Sequence, residues 1–123
     1  MRTTDITLYG IAHCDTVKKA RAWLAMQGLA YQFHDFKKQG VPAERLSAWM
    51  TAVGWERLLN RQGTTWRKLD PALQSTVGDA ASASTLLLEH SSAIKRPVIE
   101  WQQGETTEIM VGFDPQQWEQ RLV

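Results

Sequence analysis

The chain carries one cysteine, Cys14, in the run Leu8-Tyr9-Gly10-Ile11-Ala12-His13-Cys14-Asp15-Thr16-Val17-Lys18-Lys19, where an apolar stretch gives way to an amphipathic one. A thiol at a helix start is placed for nucleophilic chemistry. The first helical turn leaves backbone N–H groups without intrahelical partners and carries the positive end of the helix dipole. Such a setting lowers a cysteine pKa from about 8.5 to roughly 3.5–7.5. Lys18 and Lys19, one turn on, add positive potential. The other fate open to a lone cysteine is burial as a small hydrophobe. The polar neighbours His13, Asp15 and Thr16 favour the reactive reading. Thr16 can hydrogen-bond the sulfur or an incoming oxyanion, or simply cap the turn. The Gly10 to His13 loop can turn N–H groups toward an anion. Position 17, where a dithiol oxidoreductase carries its second cysteine, is Val. Redox work at Cys14 therefore requires a resolving thiol from outside, and glutathione is the obvious small donor.

The elements that must position this thiol can be read from periodicity. Ile6-Thr7-Leu8-Tyr9 is a short β run closed by Gly10. Val17, Ala20, Leu24 and Gln27 follow helical spacing, with Gly28 placed to end the helix. Tyr31 to Phe36 alternates as a second strand, so the first third has the lengths of a parallel βαβ unit. From about 41 to 93 the pattern is helical. Pro42 suits a first turn. Leu46, Trp49, Met50 and Val53 share a face up to Gly54, and Trp55, Leu58 and Leu59 give one more turn. Asp70-Pro71 is an N-cap and first-turn proline leading to Leu73, Thr76 and Val77. Asp79 opens a helix whose Ala83, Leu86, Leu87 and His90 share a face. Strand character returns at Val98-Ile99-Glu100-Trp101, followed by a Gln102-Gln103-Gly104-Glu105 turn and Thr106 to Val111, a β-hairpin. Asp114-Pro115 caps a last helix bearing Trp118 and Leu122. The order βαβ, helices, ββα predicts a single α/β domain over 1–123 with a thioredoxin-like (glutaredoxin-like) fold, a small mixed sheet and an all-helical insertion at about 41–93.

That fold expectation singles out Arg96-Pro97. A proline opening a strand after a helical segment is where such folds place a cis-proline facing the nucleophile, and Arg96 would then turn its guanidinium toward the thiolate or a bound oxyanion. The segment Asn60-Arg61-Gln62-Gly63-Thr64-Thr65-Trp66-Arg67-Lys68 is basic and rich in hydroxyls. It reads as an anion-binding lid or, equally, as a solvated loop whose Trp66 packs on the helices. His13 and His34 read as surface residues, His90 as a packing residue, and the six tryptophans most simply as core.

Composition narrows the classes. The chain has 123 residues, 43% hydrophobic and 22% charged, with a formal net charge of +1. This is an ordinary globular balance, with no basic stripe for nucleic acid and nothing that favours a membrane surface. One cysteine excludes an internal disulfide, and no zinc spacing or other metal site is expected. A reducing compartment, the cytoplasm, is the expectation, and no apolar stretch reads as a signal peptide or membrane span.

Taken together, Gly10-Ile11 through Cys14-Asp15-Thr16-Val17-Lys18-Lys19-Ala20, Leu58-Leu59-Asn60, Gly63-Thr64-Thr65-Trp66-Arg67-Lys68-Leu69 and Lys95-Arg96-Pro97 closely resemble the arsenate reductase (ArsC) family. The match is nearest to its YffB-like subgroup, relatives of the Spx regulators. The resemblance implies Cys14 as the nucleophile. Arsenate reductases of this family grip the oxyanion with a set of arginines; Arg96 matches one. The position after Leu58-Leu59 is Asn60, with Arg61 one place along, and another aligns with Gly112. Losing one such donor commonly costs about 3–4 kcal/mol of transition-state stabilisation. The resemblance thus points to a glutathione-dependent thiol/disulfide reductase. Its implied residues are Cys14 as catalyst and Thr16, Lys18, Asn60, Arg61, Arg67, Arg96 and Pro97 around the thiolate or glutathione. It has no tightly bound cofactor. The alternatives are arsenate reduction coupled to glutathione and glutaredoxin, and an Spx-like redox regulator that binds the RNA polymerase alpha subunit without touching nucleic acid directly.

Overall fold

A computed structural model describes residues 4–122. Two compact units make up the chain: one runs to Asp35 and resumes at Arg96, and the other spans Phe36–Lys95.

The first unit is built on a four-stranded sheet of order β2-β1-β3-β4. Strands β1 (Thr4–Gly10) and β2 (Gln32–Asp35) are parallel, with Leu8 opposite Phe33 and Gly10 opposite Asp35. Helix α1 (Asp15–Met26) makes the crossover between them. β3 (Val98–Gln103) runs antiparallel to β1, with Tyr9 opposite Val98, and β4 (Thr106–Val111) pairs antiparallel to β3. This is the mixed α/β sheet of a thioredoxin-like fold, as the element order predicts.

Alternation along β1 sends Ile6 and Leu8 to one face. There they bury against Val17, Ala20 and Leu24 of α1, Ile99, Trp101 and Met110 of the hairpin, and Trp118. Cys14 packs half-buried against the same cluster. Trp118 is met edge-on by Trp23 at 5.8 Å and Phe113 at 5.0 Å between ring centroids. The last helix (Pro115–Glu119) is capped by Asp114, whose carboxylate accepts from the Gln116 and Gln117 N–H groups. Beyond that helix, Arg121 pairs in a two-pronged contact with Glu108 of β4.

The second unit is helical. It contains α2 (Phe36–Gln39), α3 (Ala43–Val53), α4 (Trp55–Leu58), α5 (Thr64–Arg67), α6 (Pro71–Gln74), α7 (Ala80–Glu89) and a 3-10 turn at Ser91–Ala93. Leu46, Trp49, Leu58, Leu86, Leu87 and Ile94 are buried, and Phe36 stacks 6.1 Å from Trp49. Asp79 closes a capping box with Ser82 at the start of α7.

Several sequence expectations need adjustment. β2 stops at Asp35 because Phe36 turns into α2 and packs on Trp49, so the alternation through Phe36 is coincidental. Pro42 is the N-cap of α3, one place before its first turn. Residues 64–67 are a helix, not loop, because Gly63 O accepts the Arg67 N–H and starts a turn. β3 continues to Gln103, and Gly104, at φ 63°, carries a tighter turn. Leu122 lies beyond the last helix and is 38% exposed. Only Trp49, Trp101 and Trp118 of the six tryptophans are fully buried.

The approach of β1 to α1 is what brings Cys14 to its place. A Cβ on Gly10 would lie 2.7 Å from a Val17 methyl carbon, so the end of the strand seats directly on the first turn of the helix. We expect Gly10→Ala to destabilise the fold by about 1–3 kcal/mol in urea unfolding, with Gly10→Ala/Val17→Ala recovering part of the loss. Equal loss in the single and double variants would contradict this seating.

Candidate active site

Cys14 is the N-cap residue of α1, with extended backbone at φ −89° and ψ 125°. Its own N–H donates to Ile11 O at 3.1 Å and its carbonyl accepts the first helical bond from Lys18 N–H at 2.9 Å. The chain therefore enters the helix through a tight turn that fixes the Cα–Cβ direction. The side chain closes no ordinary cap hydrogen bond. The first-turn N–H groups are left to act on the sulfur as it ionises.

Several groups set the thiol's acidity. Burial raises its pKa, since apolar surroundings disfavour the charged form. Against burial stand the Val17 N–H, then the Arg96 guanidinium through both a hydrogen bond and its charge, then the Thr16 N–H. The opposing groups win, and the thiol is held below its ordinary value. Arg96 reaches this position from two residues before β3, the strand paired antiparallel to β1. The Arg96–Pro97 peptide is cis. Pro97 is buried, and its carbonyl accepts from Gly112 N–H at 2.8 Å, which ties the start of β3 to the end of β4.

The predicted site residues divide accordingly. Cys14, Thr16, Arg96 and Pro97 lie in the sheet unit, and the first three act on the thiolate. Thr16 contributes its backbone N–H; its side chain is exposed. Lys18 is exposed on α1 and is not among the groups that lower the thiol. Water screens a charge on that outer face. Asn60, Arg61 and Arg67 belong to the helical unit. Asn60 is a turn-builder: its side-chain Oδ1 accepts from Gln62 N–H at 3.2 Å, while its backbone N–H donates to Ala93 O at 2.8 Å. Arg67 is exposed in the last turn of α5. Among the described residues no group of three or more His, Cys, Asp or Glu is placed to hold a metal ion. Nor, among them, is any helix long and apolar enough to cross a membrane.

The sequence points to the first-turn N–H groups as a whole and does not single out that of Val17, a position whose side chain is unremarkable. The signal available was the helix start itself, since every such turn offers its N–H groups whatever the side chains. It also passed over Trp55, which lies 5.6 Å from the Arg61 guanidinium carbon.

A half-buried thiol on a helix start thus faces an arginine next to a cis-proline on a thioredoxin-like fold. Residues 9–121 match the model of the ArsC family, and the chain belongs to that family, a family of thiol-dependent reductases. An uncharacterized protein of Haemophilus influenzae is 38% identical over 114 residues, 93% of this chain and 96% of the relative. The global transcriptional regulator Spx of Streptococcus agalactiae is 28% identical over 96 residues, 76% of this chain and 69% of the relative. Among solved structures, the YffB protein superposes with TM-score 0.87 at 45% identity, covering 96% of this chain and 99% of that one. An arsenate reductase (ArsC) related protein of Brucella melitensis gives TM-score 0.71 at 51% identity, covering 94% and 92%.

The depressed thiol links acidity to stability. Its folded pKa lies below the unfolded value, so the native state binds fewer protons than the unfolded chain between the two. The stabilisation is complete above the unfolded cysteine pKa of about 8.5 and is lost as pH falls through the folded value. The unfolding free energy of the wild type should therefore gain on that of Cys14→Ser as pH rises toward that limit. Arg96→Met should flatten the gain. A difference independent of pH in the wild-type background would contradict the assignment.

Proposed function

We propose that the protein is a glutathione-dependent thiol/disulfide reductase with Cys14 as its nucleophile. The observation that carries the proposal is the pairing of an acidified thiol with the absence of any second cysteine in the sequence. The Cys14 thiolate attacks the glutathione sulfur of a mixed disulfide between glutathione and a substrate thiol. The old S–S bond breaks, the substrate leaves as a thiolate that takes a proton from water, and Cys14 carries the glutathione as a disulfide. A second glutathione thiolate then attacks the glutathione sulfur of that adduct. It releases oxidised glutathione and restores the Cys14 thiolate. The substrate disulfide is reduced, and two glutathione units leave joined as one disulfide.

A low thiol pKa helps both halves. It raises the thiolate fraction for attack, and it makes Cys14 a good leaving group in the second step. Arg96 supplies a fixed positive group beside the sulfur, suited also to a glutathione carboxylate. With Val17 in place of a resolving cysteine, the adduct persists until an external thiol arrives.

Arsenate reduction is the second reading, favoured by the Brucella relative named as arsenate reductase related. It is weaker because Asn60 is uncharged and spends its side chain on its own turn. Mass spectrometry after exposure to oxidised glutathione should show one glutathione added at Cys14, removed by reduced glutathione and absent from Cys14→Ser. An unmodified Cys14 would sink the proposal. Turnover with arsenate, glutathione and glutaredoxin above a Cys14→Ser control would replace it with the second reading.

A further inference from the structure

The ladder between β3 and β4 runs one rung past its last residue pair. Val98 stands opposite Val111, and beyond them Gly112 N–H donates to Pro97 O at 2.8 Å. Pro97 has no N–H to give to a ladder, so its carbonyl is the backbone group by which β4 can hold it. Pro97 is buried, and Arg96 before it is half-buried. The extra rung therefore fixes the backbone next to Arg96.

Gly112 makes this bond and then turns sharply. Its φ is 84°, a left-handed value that disfavours any Cβ. The turn leads at once to Phe113, whose ring meets Trp118 at 5.0 Å between centroids. Phe113 packs against the same core cluster that Cys14 touches. Asp114 then accepts the Gln116 and Gln117 N–H groups, and Trp118 is fully buried. The chain beyond Gly112 is thus anchored. A residue that cannot hold this φ must relieve its strain on the other side, by rotating the peptide before it. That rotation carries the N–H off the Pro97 carbonyl.

The groups that act on the Cys14 sulfur differ in what holds them. The Val17 and Thr16 N–H groups come with the first turn of α1. Arg96 is the one side chain among the described residues that joins them. Of the titratable neighbours, His13 before α1 and Asp15 and Lys18 within it do not act on the sulfur. The position of Arg96 alone depends on how the start of β3 is held.

We infer that Gly112 is a positioning residue for the site: its N–H, by holding the Pro97 carbonyl at the end of the β3–β4 ladder, sets where Arg96 stands before the Cys14 sulfur. Gly112 touches no reacting atom and acts through Arg96. The inference rests on the acidified thiol and not on glutathione, so a missing glutathione adduct would leave it standing.

The test replaces Gly112 in the full chain by glycolic acid, an ester that removes the N–H and leaves φ free. Two nuclear magnetic resonance signals read it. One is the scalar coupling across the hydrogen bond from the Gly112 nitrogen to the Pro97 carbonyl carbon, expected in the wild type. The other is the Cys14 Cβ resonance followed against pH. In the ester its midpoint should move up toward the free-cysteine value, and the thiolate fraction at the wild-type midpoint should fall at least about twofold. Arg96→Met should also move the midpoint up, and the ester added to Arg96→Met should move it no further. Gly112→Asn, which tolerates a positive φ, should stay nearer the wild type than Gly112→Ala. Absence of the coupling, a midpoint unmoved in the ester, or a full shift persisting in the Arg96→Met background would overturn the inference. Should the ester chain not fold, equal midpoints for the Asn and Ala variants would overturn it too, and leave Gly112 a turn residue only.

Discussion

Much of this structure serves one opposition, between the burial of the Cys14 sulfur and the positive groups that face it. Burial alone would leave a neutral, inert thiol. The Val17 and Thr16 N–H groups and the Arg96 guanidinium reverse that outcome. None of the three is close to Cys14 by accident. The two N–H groups are there because Cys14 is the N-cap residue of α1. Arg96 is there because β3 lies antiparallel to β1, which sets the start of one strand beside the end of the other. The parallel crossover delivers the thiol and the antiparallel pairing delivers the cation, so a mixed sheet is needed for both.

Close packing holds the opposition in place. Gly10 lets the end of β1 press on Val17, and Val17 is fully buried under the sheet. The residue that excludes a resolving cysteine is therefore also the one that seats the helix. A thiol at that position would be buried in the same core, where it could not readily exchange with an external disulfide. In the helical unit the Arg61 guanidinium lies over two indole rings, those of Trp55 and Trp66.

The sheet unit was largely legible in the sequence because its signals are local and strong. The helix start at Cys14, the glycine before it and the proline opening β3 each restrict the backbone by sterics that a reader can apply without coordinates. The helical unit was less legible. Its elements are mostly four residues long, and in so short a piece periodicity cannot separate a helical turn from a loop. Thr64–Arg67 was missed on that account. Phe36 was assigned to β2 because alternation does not register the contact with Trp49 that turns the chain. Asn60 and Arg61 fall in one basic segment that reads either as an anion-binding lid or as a solvated loop. Only the fold shows one of them tied into a turn and the other held between rings.

The groups facing Cys14 hold its thiol below the ordinary cysteine value. The most direct measurement is the ultraviolet absorbance of the thiolate as a function of pH, with Cys14→Ser subtracted as the blank. A single transition clearly below the ordinary cysteine value of about 8.5 is expected. A transition at or above that value would mean that burial prevails over Arg96 and the first-turn N–H groups, and that the thiol is not activated.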